Sequence, residues 1–424
     1  MTSSADRRAP LGGPVPELPA GAGPLVALAG AEFGWGSGGK LSAVLTALAE
    51  RAPGPVRFIG LGSGLGRPLL AGHPVDDWYD LPRSAGHRAE VIREIARDRG
   101  VAAALVVLDG PLAMSLEEAG VPTVFVDSLP FLWTEGDRAA LPLDVSVYCA
   151  QRCPELPHEC RGVLASVRQL RWVGAVVGVP AARAPRPAAA RPYRTALVSL
   201  GGLRAPRLGD WSAYPRLVVP PVLEALAAHG ITEAHLAGNL TSQLAARLTE
   251  GPDPALRVTS GPLGHGAFLD RLADCDVLLT SPGLTTLLEA GALGVPTVCL
   301  PPQNLSQILN GRFHSRAVGA AVRVPWPKDV LPEDDALALR ERGEDHALET
   351  IYRSIASAAA EPGIRGTRAR LRAATGEALR TAAAHRSWDG LTEAVGTDGA
   401  AQVAHALLSL LPAQPRPSAP GTPR

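Results

Sequence analysis

Two successive runs of short apolar segments alternating with amphipathic stretches constrain this chain more than any other feature. From Pro24 onward "PLVALAG", "VRFIGLG", "VAAALVVLDG", "VPTVFVD" and "VSVYCA" read as strands. Helices fit between most of them, around His87–Arg99 and Pro111–Gly120, and Leu41, Val44, Leu45 and Leu48 recur at helical spacing on one face. "RWVGAVVGVP" ends this unit, and Ala181–Pro192, "AARAPRPAAARP", has no apolar periodicity and the composition of a linker. The alternation then restarts with "TALVSLGG", "AHLAG", "ALRVTS", "DVLLTSPG" and "VPTVCLPP" as strands, helices lying between them and over Asn304–Val318. Such alternation builds parallel sheets flanked by helices. It predicts an α/β chain of two Rossmann-like domains facing each other across a cleft, residues 24–180 and 193–330, with helices over 331–412. Residues 1–23 and 413–424, rich in Pro and Gly, are expected to be disordered tails. Ligands of open α/β sheets bind beyond the C-terminal ends of the strands, which puts the expected site between the domains.

Composition removes several classes of function. Of the 424 residues, 41 are basic and 41 acidic, so no global charge points to nucleic acid or to an anionic membrane. The N-terminal stretch lacks the apolar core of a secretory signal, and no uninterrupted apolar run is long enough to cross a bilayer, which makes the cytoplasm the expected compartment. Five cysteines fit a reducing environment. Cys149, Cys153, His158 and Cys160 cluster in "CAQRCPELPHEC", but their spacing is not a standard zinc pattern, and no metal is expected. Lys40 and Lys328 are the only lysines in an arginine-rich chain, so the arginine count carries no message and a lysine carries more.

The most informative stretch is Ser281–Asn310, "SPGLTTLLEAGALGVPTVCLPPQNLSQILN". A strand delivers Ser281, Pro282 and Gly283 to its end, and the helix that follows turns its free N–H groups and positive dipole end to the cleft, a natural anion seat. Thr285 and Thr286 add hydroxyls. Glu289 shares their face one turn deeper, poorly placed for phosphate but suited to a ribose diol. Together these residues read as a nucleotide diphosphate clamp, with Ser199, Gly201 and Gly202 of "SLGG" supplying a second backbone turn.

This region resembles the donor-binding segment of GT-B glycosyltransferases, especially the enzyme that adds N-acetylglucosamine to the peptidoglycan lipid precursor and its relatives among antibiotic glycosyltransferases. Ser281, Gly283, Thr286, Glu289, Gly294, Pro296 and Pro301 fill that family's pattern, and Gln303, Gln307 and Asn310 follow. The resemblance implies metal-independent transfer from a nucleotide diphosphate sugar, most simply a UDP-sugar, to a small acceptor, with no cofactor beyond this co-substrate. Glu289 would hold the ribose, Gly283, Thr285 and Thr286 the diphosphate, and Gln303 or Gln307 the sugar.

In the first unit Gly36, Gly38 and Gly39 match the family's glycine loop, with Ser37 in place of its threonine, but Lys40 replaces a histidine that would serve as base. A lysine there suits a departing diphosphate or a substrate carboxylate better than proton abstraction unless strongly desolvated; it also reads as a solvated residue at a helix start. Acid–base work then falls to Asp109, Asp127 or Glu32, although strand-end aspartates also cap turns. His87 and His265 are possible substitutes for the missing histidine, and Trp35, Phe131 and Trp133 could stack on an acceptor or sugar.

"AGAEFGWGSGGKLSAVL" and "VDSLPFLW" are also similar to cytosylglucuronate synthases of nucleoside-antibiotic pathways, which implies UDP-glucuronate and cytosine, with Lys40, Arg204 or Arg207 meeting the carboxylate. Three alternatives stay open: a sugar-nucleotide 2-epimerase of the same fold, a non-catalytic nucleotide-sugar sensor, and a P-loop enzyme using Gly34–Lys40, where Leu41 stands in place of the metal-binding hydroxyl.

Overall fold

The computed structural model describes residues 23–62, 64–178, 192–202, 210–250, 254–360 and 362–412. The two expected tails lie outside these residues apart from Gly23, as do Arg204, Arg207 and the expected linker apart from Pro192.

The first sheet has seven parallel strands: β1 (Leu25–Gly30), β2 (Arg57–Leu61), β3 (Asp77–Tyr79), β4 (Val101–Val107), β5 (Thr123–Asp127), β6 (Val147–Gln151) and β7 (Leu170–Val173), in the order β3-β2-β1-β4-β5-β6-β7. Every residue of β1 is buried, as a central strand covered on both faces requires. Helices α1 (Trp35–Arg51), α2 (Ala85–Arg99), α3 (Gly110–Glu118) and α4 (His158–Leu164) connect these strands. Leu41, Val44, Leu45 and Leu48 of α1 are buried against Val26 and Leu28 of β1 in one cluster. Each such side chain contributes about 1.5–3 kcal/mol by leaving water. Gly100, at φ 63°, ends α2 in a left-handed cap that a side chain would strain.

The second sheet has five parallel strands: β8 (Thr195–Ser199), β9 (Glu233–Ala237), β10 (Arg257–Ser260), β11 (Val277–Thr280) and β12 (Thr297–Cys299), in the order β10-β9-β8-β11-β12. Between and after them run α5 (Ala213–Ala228), α6 (Ser242–Thr249), α7 (His265–Asp274), α8 (Leu284–Ala292) and α9 (Leu305–Val318). Asn304 caps α9 by accepting from the Gln307 amide at 2.9 Å. Helices α10 (Glu333–Ala338), α11 (Glu344–Ala358), α12 (Ile364–Ala384) and α13 (Gly390–Val395) belong to this half, with α11 and α12 packed on α5 and α13 on α8 and α9.

The last helix, α14 (Gly399–Leu408), crosses back. Its Val403, Ala404 and Leu407 join the first domain's core beside α1. Backbone bonds from Ala175 N to Gly396 O at 2.8 Å and from Gly399 N to Ala175 O at 3.2 Å fix the crossing.

Both sheets reverse strand order beside their first strands, between β1 and β4 and between β8 and β11. These switch points open crevices at the carboxyl ends of the strands, and the crevices face each other. Two edge strands, β3 and β7, are absent from the sequence expectation. β3 includes Asp77, and the neighbouring carboxylates Asp76 and Asp80 pair with Arg57 and Arg67.

Candidate functional site

The facing crevices form one cavity of about 180 Å³. From the first domain, Ala31–Gly34 leave the end of β1, and α1 begins at Trp35. This corrects the glycine-loop expectation. Gly36, Ser37, Gly38 and Gly39 are the opening turns of a helix, and Lys40 lies within it. It also departs from a P-loop, in which residues 34–39 would wrap round the phosphate ahead of the helix, whereas here the helix already begins at Trp35. A Cβ at Gly36 or Gly39 would make only ordinary contact with Thr285, at 3.5 Å and 3.6 Å, whereas one at Gly38 would crowd Gly66 Cα at 3.3 Å. Gly202 approaches from the other domain so closely that a Cβ there would lie 2.8 Å from the Trp35 amide.

Two helix N-termini therefore converge on the cavity, α1 at Gly34 and α8 at Gly283. Neither has a side-chain cap or an acidic residue in its first turn. Their unspent amides and dipoles favour an anion at the gap. Ser199, Gly201, Gly202, Ser281, Gly283, Thr285, Thr286, Glu289 and Gln307 all line the cavity, as do Gly36, Ser37, Gly39 and Lys40.

Lys40 is only 2% exposed, which overturns the solvated-lysine alternative. Its Nζ donates to Thr285 Oγ1 across the domain gap. Burial lowers its pKa to about 8, partly offset by the Glu289 carboxylate. Glu289 is 1% exposed, and its Oε1 lies 2.7 Å from His265 Nε2. His265 thus sits in the cavity wall against the carboxylate, whereas His87 is exposed on α2.

Gln303 is absent from the cavity lining. Its amide nitrogen donates to Leu200 O at 3.3 Å and to Ser281 Oγ, and its oxygen accepts from Tyr352 OH at 2.8 Å. Asn310, which donates to Pro282 O at 3.0 Å, does line the cavity, and its buried Oδ1 has no partner among the described residues.

Three carboxylates proposed for acid–base work lie outside the lining. Glu32 is exposed and accepts from the Gly64 amide. Asp109 caps α3 through the Leu112 amide at 3.1 Å, and burial raises its pKa. Asp127 accepts from Trp133 Nε1 at 2.7 Å, Tyr148 OH at 2.8 Å and the Leu129 amide at 2.9 Å, and burial pushes it up to about 6 against those bonds. Their chain neighbours Leu108, Ser128 and Leu129 do reach the cavity. Leu108, at φ 61°, is the only non-glycine with positive φ among the described residues, a strained backbone at the β1/β4 switch point.

Phe131 cannot stack on a ligand. It is fully buried and packs edge-on against Phe313 of the second domain, ring centres 5.3 Å apart. Trp35 lines the cavity. Among the described residues no group of three or more His, Cys, Asp or Glu side chains is arranged to hold a metal ion, and no helix is long and apolar enough to cross a membrane. Sequence reasoning missed Leu108, Ser128, Asn304 and Ser306 as wall residues. The available signal was a polar residue just past the end of β5 for Ser128 and the polar N-cap and first turn of α9 for Asn304 and Ser306.

No protein-family model and no curated protein matches the sequence. Solved structures do match in fold. A Listeria monocytogenes protein described as a UDP-N-acetylglucosamine 2-epimerase aligns with 88% of this chain and 94% of its own at 12% identity and a TM-score of 0.51. A glycotransferase of kitacinnamycin covers 92% and 100% at 15% identity and a TM-score of 0.50. MurG of Acinetobacter baumannii covers 82% and 99% at 15% identity and a TM-score of 0.45. The fold is thus the expected one, two facing parallel-sheet α/β domains with a helical C-terminal segment.

Proposed function

We propose that the chain transfers a glycosyl group from a UDP-sugar to a small acceptor. The observation that carries this reading is the convergence of two uncapped helix N-termini and a buried lysine at Gly283–Thr286, with Glu289 one turn deeper. That arrangement offers charge and N–H groups to a diphosphate and a carboxylate to a ribose.

In the reaction the bond from the anomeric carbon to the diphosphate oxygen breaks and its electron pair stays with the leaving group. The acceptor atom bonds to that carbon and loses its proton to a base. Preorganised N–H donors stabilise the departing charge. Among the carboxylates, Asp109 carries one side-chain hydrogen bond and Asp127 three, and Asp109 stands directly behind the wall residue Leu108, so it is the carboxylate we assign to the acceptor proton, reached from the cavity past Leu108. The donor sugar falls to Gln307 and to Asn310, whose Oδ1 is unpartnered, since the Gln303 amide is spent.

The finer reading, UDP-glucuronate and cytosine in nucleoside-antibiotic biosynthesis, is supported by the sequence similarity of "AGAEFGWGSGGKLSAVL" and "VDSLPFLW". Two-epimerisation of a sugar nucleotide suits the same cavity and needs no acceptor. Calorimetric titration of UDP- and dTDP-sugars tests the central claim. Binding at micromolar to millimolar levels, weakened at least tenfold by Glu289→Ala, is expected, and absence of binding or an unaffected variant overturns it. Product analysis with UDP-glucuronate and cytosine tests the narrower claim, and acceptor-free conversion of the sugar would identify the epimerase.

A further inference from the structure

We propose that Lys40 is a diphosphate-binding cation supplied by the first domain, so that the donor's diphosphate bridges the two domains; this rests on the UDP-sugar reading above. The Lys40 ammonium is a charge without an answer among the described residues. An ammonium has three donors. Among the described residues Lys40 has one hydrogen-bond acceptor, the neutral Thr285 hydroxyl, and no ion pair within 4.0 Å. The carboxylate that acts on it, Glu289, is already engaged by His265.

A buried cation left this way is costly, because nothing replaces the water it lost. Its surroundings suit an anion. Thr285 lies in the first turn of α8, and the open amides of α1 and α8 flank the same gap. A diphosphate oxygen there would fill the two vacant donors and supply the missing negative charge. At neutral pH the amine keeps its proton, since its pKa remains near 8, and an arriving dianion raises it further.

Helix α1 carries Lys40 and belongs to the first sheet, whereas Thr285 belongs to the second domain. One ligand touching both would link donor affinity to domain closure. The alternative ligands for the amine are a substrate carboxylate or water; its place beside the α8 turn favours phosphate.

The experiment is calorimetric titration of the whole chain with UDP, UMP and uridine, using wild type, Lys40→Met and Lys40→Gln. The glutamine is similar in length and keeps a donor for Thr285, so it serves if the methionine variant fails to fold. The expected result is a loss of at least tenfold for UDP in both variants and less than twofold for uridine. Equal UDP affinity in wild type and the folded variant overturns the assignment while leaving the donor reading intact. So does an unchanged UDP affinity combined with a selective loss for UDP-glucuronate against UDP-glucose, which assigns the amine to the carboxylate. Failure of wild type to bind any of the three overturns both.

Discussion

Replacing Lys40 by methionine should stabilise the free protein while weakening its ligand. The amine's pKa falls from 10.5 to about 8 on folding, because burial penalises the charged form. That difference corresponds to about 3 kcal/mol held against the folded state at pH 7, below both values. Methionine removes the penalty and fills similar volume, but loses the bond to Thr285, which contributes about 1 kcal/mol. The net expectation is a gain of about 2 kcal/mol at pH 7. The sign follows from proton counting: between pH 8 and 10.5 the unfolded chain holds a proton that the folded one has released, so wild-type stability rises with pH across that window. The methionine variant lacks that rise, and its advantage disappears by about pH 10.5. Urea unfolding followed by tryptophan fluorescence from pH 6.5 to 10.5 measures both quantities. A variant less stable than wild type at pH 7, or one keeping the wild-type slope above pH 8, would show that Lys40 is a structural tie between the domains and refute the reasoning.

Other expectations address separate parts of the cavity. Gly202→Ala should push the Ser199–Gly202 turn away from the Trp35 amide and lower UDP affinity at least tenfold by calorimetry, with little change in melting temperature. Asp109→Asn should reduce kcat at least a hundredfold with UDP affinity unchanged, whereas equal losses in both would assign it to the fold. Tyr148→Phe deprives the buried Asp127 of one of its donors and should cost about 1.5–3 kcal/mol in denaturant unfolding at pH 7, with the loss shrinking as the pH falls below about 6 and the carboxylate protonates. UDP binding above pH 8 should take up a proton at Lys40, read as a dependence of binding heat on buffer ionisation; Glu289 on α8, His265 on α7 and His73 are the titratable groups around it, and the uptake should vanish in Lys40→Gln.

The central strands were legible because full burial leaves nearly continuous apolar runs such as "LVALAG" and "VAAALVV". β3 and β7 were not, since edge strands of three and four residues with exposed or half-exposed positions carry no such run. The second domain's share of the cavity wall was legible from Ser281 to Asn310 because one strand, one turn and two helices place those residues locally. The start of α1 was misread, as three glycines and a serine look like a loop by propensity, each glycine costing a helix about 1 kcal/mol. The partner of this helix start, Thr285, is 245 positions away from Lys40 in the chain and leaves no local trace. For the same reason the burial of Lys40 and the pairing of His265 with Glu289 had no local signature.

The return of α14 to the first domain has a consequence for biogenesis. A chain made from its N-terminus usually completes one domain before the next emerges. Here the apolar face of α1 and the strands behind it stays open until Val403 and Leu407 have been synthesised, after the whole second domain. The nascent first domain therefore spends most of translation with uncovered core, a stretch in which a ribosome-associated chaperone would have its surface to hold. A ribosome stalled before residue 399 should present a protease-sensitive first domain, and one stalled well beyond 412 a resistant one.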